Sequence, residues 1–170
     1  LFPERERERQ YIKDYIENVY KYYGFGTWLI HRKEDGTLIG RAGFNYRPGY
    51  DEAELGFVIG EPFWRQGYAF EVCSHLMKLA ETVVLTSQGV PFIWCGDEMM
   101  RDKKGVHNSY NSPDSINVIS WKLKTENQSL FQYMQTLIAM RKAHPAFRMG
   151  RADLVRKHLQ FLPVKGKNLI

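Results

Sequence analysis

Only two cysteines, Cys73 and Cys95, occur in 170 residues. Neither has metal-ligand spacing and together they give no disulfide framework, so both are expected to be packed thiols, Cys73 in a helix and Cys95 in a strand. No apolar run approaches the roughly 20 residues that span a bilayer. The start, Leu1-Phe-Pro-Glu-Arg-Glu-Arg-Glu-Arg, lacks the apolar stretch of a signal peptide. The expectation is a cytoplasmic protein with no membrane partner. His31, His75, His107, His144 and His158 lie far apart and form no short-range pair of the kind zinc sites use. No metal is expected, and no Ser-His-Asp or Cys-His signature is present.

What is present suffices for a core, with 44% apolar and 14% aromatic residues. Charge is uneven. Residues 1–80 carry 11 Lys and Arg against 12 Asp and Glu, a net of −1, whereas residues 81–170 carry 13 against 7, a net of +6. The basic residues of the second half are scattered and have no stacking aromatics between them, which reads as a solvated face and not as a nucleic-acid surface. The shift also points to two origins within one chain.

The chain is organised around Glu54-Leu-Gly-Phe-Val-Ile-Gly60-Glu-Pro-Phe-Trp-Arg-Gln-Gly67-Tyr-Ala-Phe-Glu71. An apolar run that stops at Gly60 and Pro62 is a short buried strand, and helical periodicity resumes after Gly67. Arg65, Gln66, Gly67, Tyr68 and Ala69 therefore sit where the first helical N–H groups lack partners, and Gly67 lets a ligand approach the backbone. A turn of this kind can hold a phosphate.

Upstream, the stretch from residue 3 to 22 places Tyr11, Ile12, Tyr15, Ile16, Val19, Tyr20 and the adjoining Tyr23 on one face, with Gly24 as a stop; this predicts an amphipathic helix whose Tyr stripe packs on the core. Residues 27–32 and 38–45 read as strands joined by a Glu34-Asp-Gly36 turn, and Tyr46-Arg-Pro-Gly-Tyr50 as a loop. The resulting order is helix, three strands, helix.

That order, with Gly40, Gly43 and the loop Trp64-Arg-Gln-Gly67-Tyr-Ala69, resembles the GNAT N-acetyltransferases, especially the subgroup acting on ribosomal proteins and small amines. The family's pyrophosphate loop reads (Arg/Gln)-x-x-Gly-x-(Gly/Ala); Gly67 and Ala69 match, and Trp64 stands at the first position. The resemblance covers residues 3–75 and places the family's first strand and helix before Leu1. It implies acetyl-CoA as cofactor, held by the backbone of Phe57, Val58 and Ile59 and by the loop Arg65, Gln66, Gly67, Tyr68, Ala69 and Phe70. It implies an amine or protein N-terminus as acceptor, Glu54 as the nearest base, and Tyr133 or Tyr110 as the proton donor to the leaving thiolate.

From about Met77 the sequence resembles type I pullulanases of the α-amylase superfamily. Gly89-Val-Pro91-Phe-Ile-Trp-Cys-Gly96-Asp-Glu98 fits that superfamily's Gly-x-Pro-x-x-x-x-Gly-x-Glu pattern at the last barrel strand, here residues 90–96. Gly105-Val-His-Asn108-Ser-Tyr110-Asn111-Ser-Pro-Asp114 resembles the loop that follows, residues 127–147 the barrel's final helix, and residues 160–164 and 167–170 the strands beyond it. Retaining glycoside hydrolysis needs two carboxylates about 5 Å apart. The resemblance puts both on earlier barrel strands, so Glu98 and Asp114 resemble support and subsite positions; Trp94, Tyr110 and Trp121 are residues of a type that stacks on sugar rings, and are expected instead as core aromatics.

The sequence therefore reads as a composite: an acetyltransferase-like half over residues 1–76 and a pullulanase-like barrel end over residues 77–170, expected to co-fold as one α/β domain. Its expected sheet is mixed and partly parallel, with residues 90–96 pairing beside residues 53–59 through a right-handed crossover. The unpaired edges favour a homodimer. Three functions stay open: an acetyl-CoA-binding N-acetyltransferase, a fragment of an α-glucan debranching hydrolase without its catalytic pair, and an inert folded chimera.

Overall fold

The computed structural model describes residues 5–46, 49, 53–106 and 108–160. It divides into two compact units, Leu1–Met77 and Lys78–Ile170, and the division falls inside one helix.

The first unit opens with α1 (Arg5–Tyr15), a π-helical turn (Ile16–Tyr20) and α2 (Lys21–Tyr23), which ends where Gly24 takes the left-handed conformation at φ 74°. The expected start at Pro3 lies outside the described residues. The Tyr stripe departs from expectation. No residue of α1 is buried, and Tyr11 and Ile12 are about half exposed. Its aromatics work as point anchors instead: Tyr20 meets Trp28 edge-on with centroids 6.3 Å apart, and Tyr23 stacks on Tyr46 at 4.6 Å.

Strands β1 (Thr27–His31), β2 (Leu38–Tyr46) and β3 (Ala53–Ile59) form an antiparallel sheet in the order β1-β2-β3. The β1–β2 turn is closed by Gly36 N–H donating to Arg32 O at 2.9 Å, with Gly36 at φ 71°. Ile39, Ala42, Gly43 and Ile59 are the sheet's buried residues. Of the loop expected at residues 46–50, Arg47, Pro48 and Tyr50 lie outside the described residues. After β3 a 3-10 turn (Glu61–Phe63) leads to α3 (Tyr68–Thr86).

In the second unit, α6 (Gln128–Ala143) buries Leu130, Met134 and Leu137, and the same core holds Leu85 from α3 and Met99. Asn127 Nδ2 donates to Met99 O at 3.0 Å, fixing the turn Asp97–Met99 to the start of α6. Pro145 ends α6 sooner than the expected residue 147 and starts a 3-10 turn (Pro145–Arg148). Three short helices, α4 (Asp114–Asn117), α5 (Lys122–Glu126) and α7 (Ala152–His158), complete the unit.

The shared, partly parallel sheet does not form. Residues 90–96 adopt no strand, and all strand pairing among the described residues is antiparallel within β1-β2-β3. Val90 is 96% exposed, and Phe92 and Trp94 are 71% exposed. An apolar run becomes a strand only when neighbours take its N–H and C=O groups, and Pro91 supplies no N–H at all. The run is also bounded by Gly89 and Gly96 at φ 97° and 104°. Two further expectations fall with it: Cys95 is exposed, and Tyr110 and Trp121 are surface residues. His107 and the expected strands from residue 161 onward lie outside the described residues.

Candidate cofactor-binding site

The site begins with strand alternation. Gly60 N–H donates to Ile39 O at 2.9 Å, one step beyond the Gly40–Ile59 pair. Bonded pairs recur every second residue in an antiparallel ladder. Val58, Gly56 and Glu54 thus turn their backbone groups to β2, and Ile59, Phe57 and Leu55 turn theirs outward. β3 pairs on one side only among the described residues, so this outward row forms an open edge. The Ile59 carbonyl on that edge accepts the Trp64 indole N–H at 2.6 Å.

The turn then curls over the strand end. Phe63 and Trp64 N–H groups donate to Gly60 O and Glu61 O, and the Gln66 amide donates to Pro62 O at 2.9 Å. Arg65 adopts φ 60° and Gly67 φ 86°. A non-glycine residue held in the left-handed region stores strain of the kind found at ligand clamps. The first bond of α3's ladder runs from Glu71 N–H to Gly67 O at 3.0 Å, so the N–H groups of Tyr68, Ala69 and Phe70 precede the ladder and point from a positive helix end. A Cβ built on Gly67 would meet nothing within 4 Å.

Arg32 braces this turn. Its guanidinium donates to the Asp35 carboxylate and lies 6.0 Å from the Phe63 ring centroid. The hydrogen bond to Asp35 first, then the influence of the Tyr68 hydroxyl, pushes the Arg32 pKa up, and the same ion pair holds the Asp35 carboxyl well below the usual range.

Together these elements enclose a groove of about 570 Å³ running from Phe57, Val58 and Ile59 past Trp64, Arg65 and Gly67 to Tyr68, Ala69 and Phe70. Eight of the nine residues expected to hold the cofactor line it; the ninth, Gln66, lies in the same turn with its amide turned back to Pro62. A second cavity of about 200 Å³ shares Phe57 and Val58 with the groove. The open edge, helix N–H groups, unfilled space at Gly67 and Arg65 cation suit a chain of amides ending in phosphates, the chemistry of acetyl-CoA.

Glu54 is exposed at the start of β3, opposite Asn45. Tyr133 lies in the second unit, where its hydroxyl is 2.7 Å from Thr82 Oγ1 and its ring centroid 5.8 Å from Lys78 Nζ. Tyr110 is 82% exposed. Two carboxylates of the second unit are engaged locally: Asp97 accepts from Trp94 N–H at 3.0 Å and Glu98 from Gly96 N–H at 2.9 Å. The roles of Trp64 as a tie and Arg32 as a brace were not foreseen. The hairpin spacing around Arg32-Lys-Glu-Asp35 was the available signal for the second.

No group of three or more His, Cys, Asp or Glu among the described residues is arranged to hold a metal, and no described helix is long and apolar enough to cross a membrane.

Two kinds of known protein resemble this chain. A pullulanase of Bacillus subtilis (strain 168) is 46% identical over 88 residues, 52% of this chain and 12% of that protein, and an isoamylase of Flavobacterium sp. is 36% identical over 88 residues, 50% of this chain and 11% of that protein. Among solved structures, apo pullulanase from Paenibacillus barengoltzii matches with a TM-score of 0.51 at 49% identity, covering 53% of this chain and 14% of that one. Pullulanase from Anoxybacillus sp. LM18-11 complexed with maltotetraose matches with a TM-score of 0.53 at 43% identity, covering 56% and 14%. The chain thus spans little more than a tenth of the length of these relatives. The family model described as acetyltransferase (GNAT) domain matches residues 2–137. The chain is a composite, and over most of its length it belongs to the GNAT acetyltransferase family.

Proposed function

We propose that the chain binds acetyl-CoA in the groove between β3 and the start of α3 and acts as an N-acetyltransferase. The single observation that carries this reading is the continuity of the outward edge of β3 with the turn of residues 64–70, which line one groove of about 570 Å³. When bound, acetyl-CoA supplies a thioester carbon to which an amine nitrogen bonds as the carbon–sulfur bond breaks. The chain's own residues position and deprotonate. Backbone groups of Leu55 and Phe57 take the amide arm, N–H groups of Tyr68, Ala69 and Phe70 with Arg65 take the phosphates, and Glu54 receives the amine proton.

The family match and the groove support this reading over a debranching hydrolase. The similarity to pullulanases favours the hydrolase as second reading, but the matched stretch is a small part of those enzymes, and a hydrolase needs two carboxylates held about 5 Å apart across the sugar bond. Purified chain is expected to release no reducing sugar from pullulan; release that is abolished by Glu98→Ala would reverse the order of the two readings.

Calorimetry with acetyl-CoA, CoA and free pyrophosphate tests the proposal. Acetyl-CoA and CoA are expected to bind more tightly than pyrophosphate, because the arm adds contacts along β3. Gly67→Glu is expected to abolish both, since its carboxylate would occupy the phosphate position. Equal weak affinity for CoA and pyrophosphate, unchanged by Gly67→Glu, would leave the inert chimera as the better account.

A further inference from the structure

The smaller cavity is built on one face of the sheet. In register, Arg41 pairs with Val58, Gly43 with Gly56 and Asn45 with Glu54, so these six share a face. The cavity's polar wall is Tyr15, Thr27, Arg41 and Asn45, its floor is Gly56, and it meets the cofactor groove at Phe57 and Val58. Its donors are set. The Tyr15 hydroxyl donates to Asn45 Oδ1 at 3.0 Å while accepting Thr27 N–H at 3.1 Å, which leaves the Asn45 amide nitrogen turned to the floor, 3.1 Å from where a Cβ on Gly56 would stand. Arg41 is exposed and has no ion-pair partner among the described residues. Two donors of positive character therefore face an open, glycine-floored space.

A group transfer between two substrates requires adjoining sites. We infer that this cavity is the acceptor site and that it takes a primary amine that also carries a carboxylate, an amino acid or short peptide, with the carboxylate on Arg41 and Asn45 and the amine toward Phe57 and Glu54. The inference rests on the acetyltransferase reading and adds the substrate class. Arg41 and Asn45 lie four residues apart, about 13 Å along the strand. The Asn45 amide reaches toward Gly56 from one end and Arg41 lines the same cavity at the other.

The test uses the full chain and three probes: L-alanine, ethylamine, which lacks the carboxylate, and propionate, which lacks the amine. Binding is read from backbone amide shifts of Asn45 and Gly56 on titration, and acetyl-CoA affinity is measured separately by calorimetry. Alanine is expected to bind most tightly. Arg41→Gln is expected to weaken alanine by about tenfold or more, the scale of a charge-assisted pair, to remove its advantage over ethylamine, and to leave acetyl-CoA affinity unchanged. Gly56→Ala, which fills the floor, is expected to weaken alanine with the circular dichroism spectrum retained. Equal binding of alanine and ethylamine, or an Arg41→Gln variant that binds alanine as before, would overturn the inference. Acetyl-CoA bound with alanine unbound defeats this inference alone, whereas alanine bound at these residues without acetyl-CoA binding defeats the acetyltransferase reading and leaves the carboxylate site standing.

Discussion

The indole N–H of Trp64 donates to the carbonyl of Ile59 at 2.6 Å, so the turn after β3 is fastened to the outward edge of the strand it follows. In the GNAT pattern an Arg or Gln stands at this position, and here an aromatic ring takes it. The bond fixes where the open edge ends and the turn begins.

Trp64→Phe keeps the ring and removes the donor. Loss of one part-buried hydrogen bond costs about 1 kcal/mol, and the loosened turn is expected to weaken acetyl-CoA several-fold while pyrophosphate binding changes less. Calorimetry on the two ligands checks this; an equal loss on both would place the effect on the phosphate end instead of the edge.

Arg65→Gly separates strain from binding. The left-handed conformation at φ 60° costs a non-glycine residue about 1–2 kcal/mol, so the variant is not expected to melt earlier than wild type. Its affinity for acetyl-CoA should fall because the cation is gone. A variant that melts markedly earlier, as judged by calorimetric scans, would show that the Arg65 side chain holds the turn and not the ligand.

The hairpin, the position of β3 and the start of α3 were legible because their signals are local: Gly36 and Gly67 sit where φ is positive, and apolar runs stop at Gly60; the burial expected of β3 is not there, since only Ile59 is buried and Phe57 and Val58 are half exposed on an edge strand. Residues 90–96 were misread for the opposite reason. Their pattern is that of a buried strand, yet a strand exists only through partners distant in sequence, and among the described residues none pairs with them. The polar cavity escaped notice likewise, since Arg41, Asn45 and Gly56 meet through strand register, which no spacing along the chain displays. Glu54 gained its place opposite Asn45 in the same way.

In the second unit, Arg141 is 7% exposed and donates to three backbone carbonyls, Leu85 O at 2.8 Å, Ser87 O at 2.7 Å and Gly89 O at 2.6 Å. It closes the C-terminal end of α3, where a cation also meets the negative end of the helix dipole. Arg141→Met keeps much of the volume but leaves three carbonyls without this donor, an expected loss of about 3 kcal/mol. Denaturant titration followed by Trp fluorescence checks it. A change under 1 kcal/mol would mean that water satisfies those carbonyls as well as the guanidinium does.

Glu81 is the counterpart, a buried charge without an answer. It is 6% exposed, and its Oε2 has no hydrogen-bond partner. Burial first, then the negative charges of Asp97 and Glu98, push its pKa above the ordinary carboxylate range. In the unfolded chain that penalty is relieved, so the folded state holds the proton more tightly than the unfolded one does. Stability is then highest below the ordinary carboxylate pKa, near 4.3, and falls as pH rises toward the raised folded value. Glu81→Gln removes the ionisation while keeping the shape. The variant is expected to match or fall slightly below wild type near pH 4 and to exceed it in melting temperature at pH 8, with the gap opening over the interval between the two pKa values. Asp97, which burial also pushes up, titrates in both proteins and cancels to first order. A gap independent of pH would assign the effect to packing, and a variant less stable at pH 8 would mean that the Glu81 carboxylate is held by a partner cation in the folded protein.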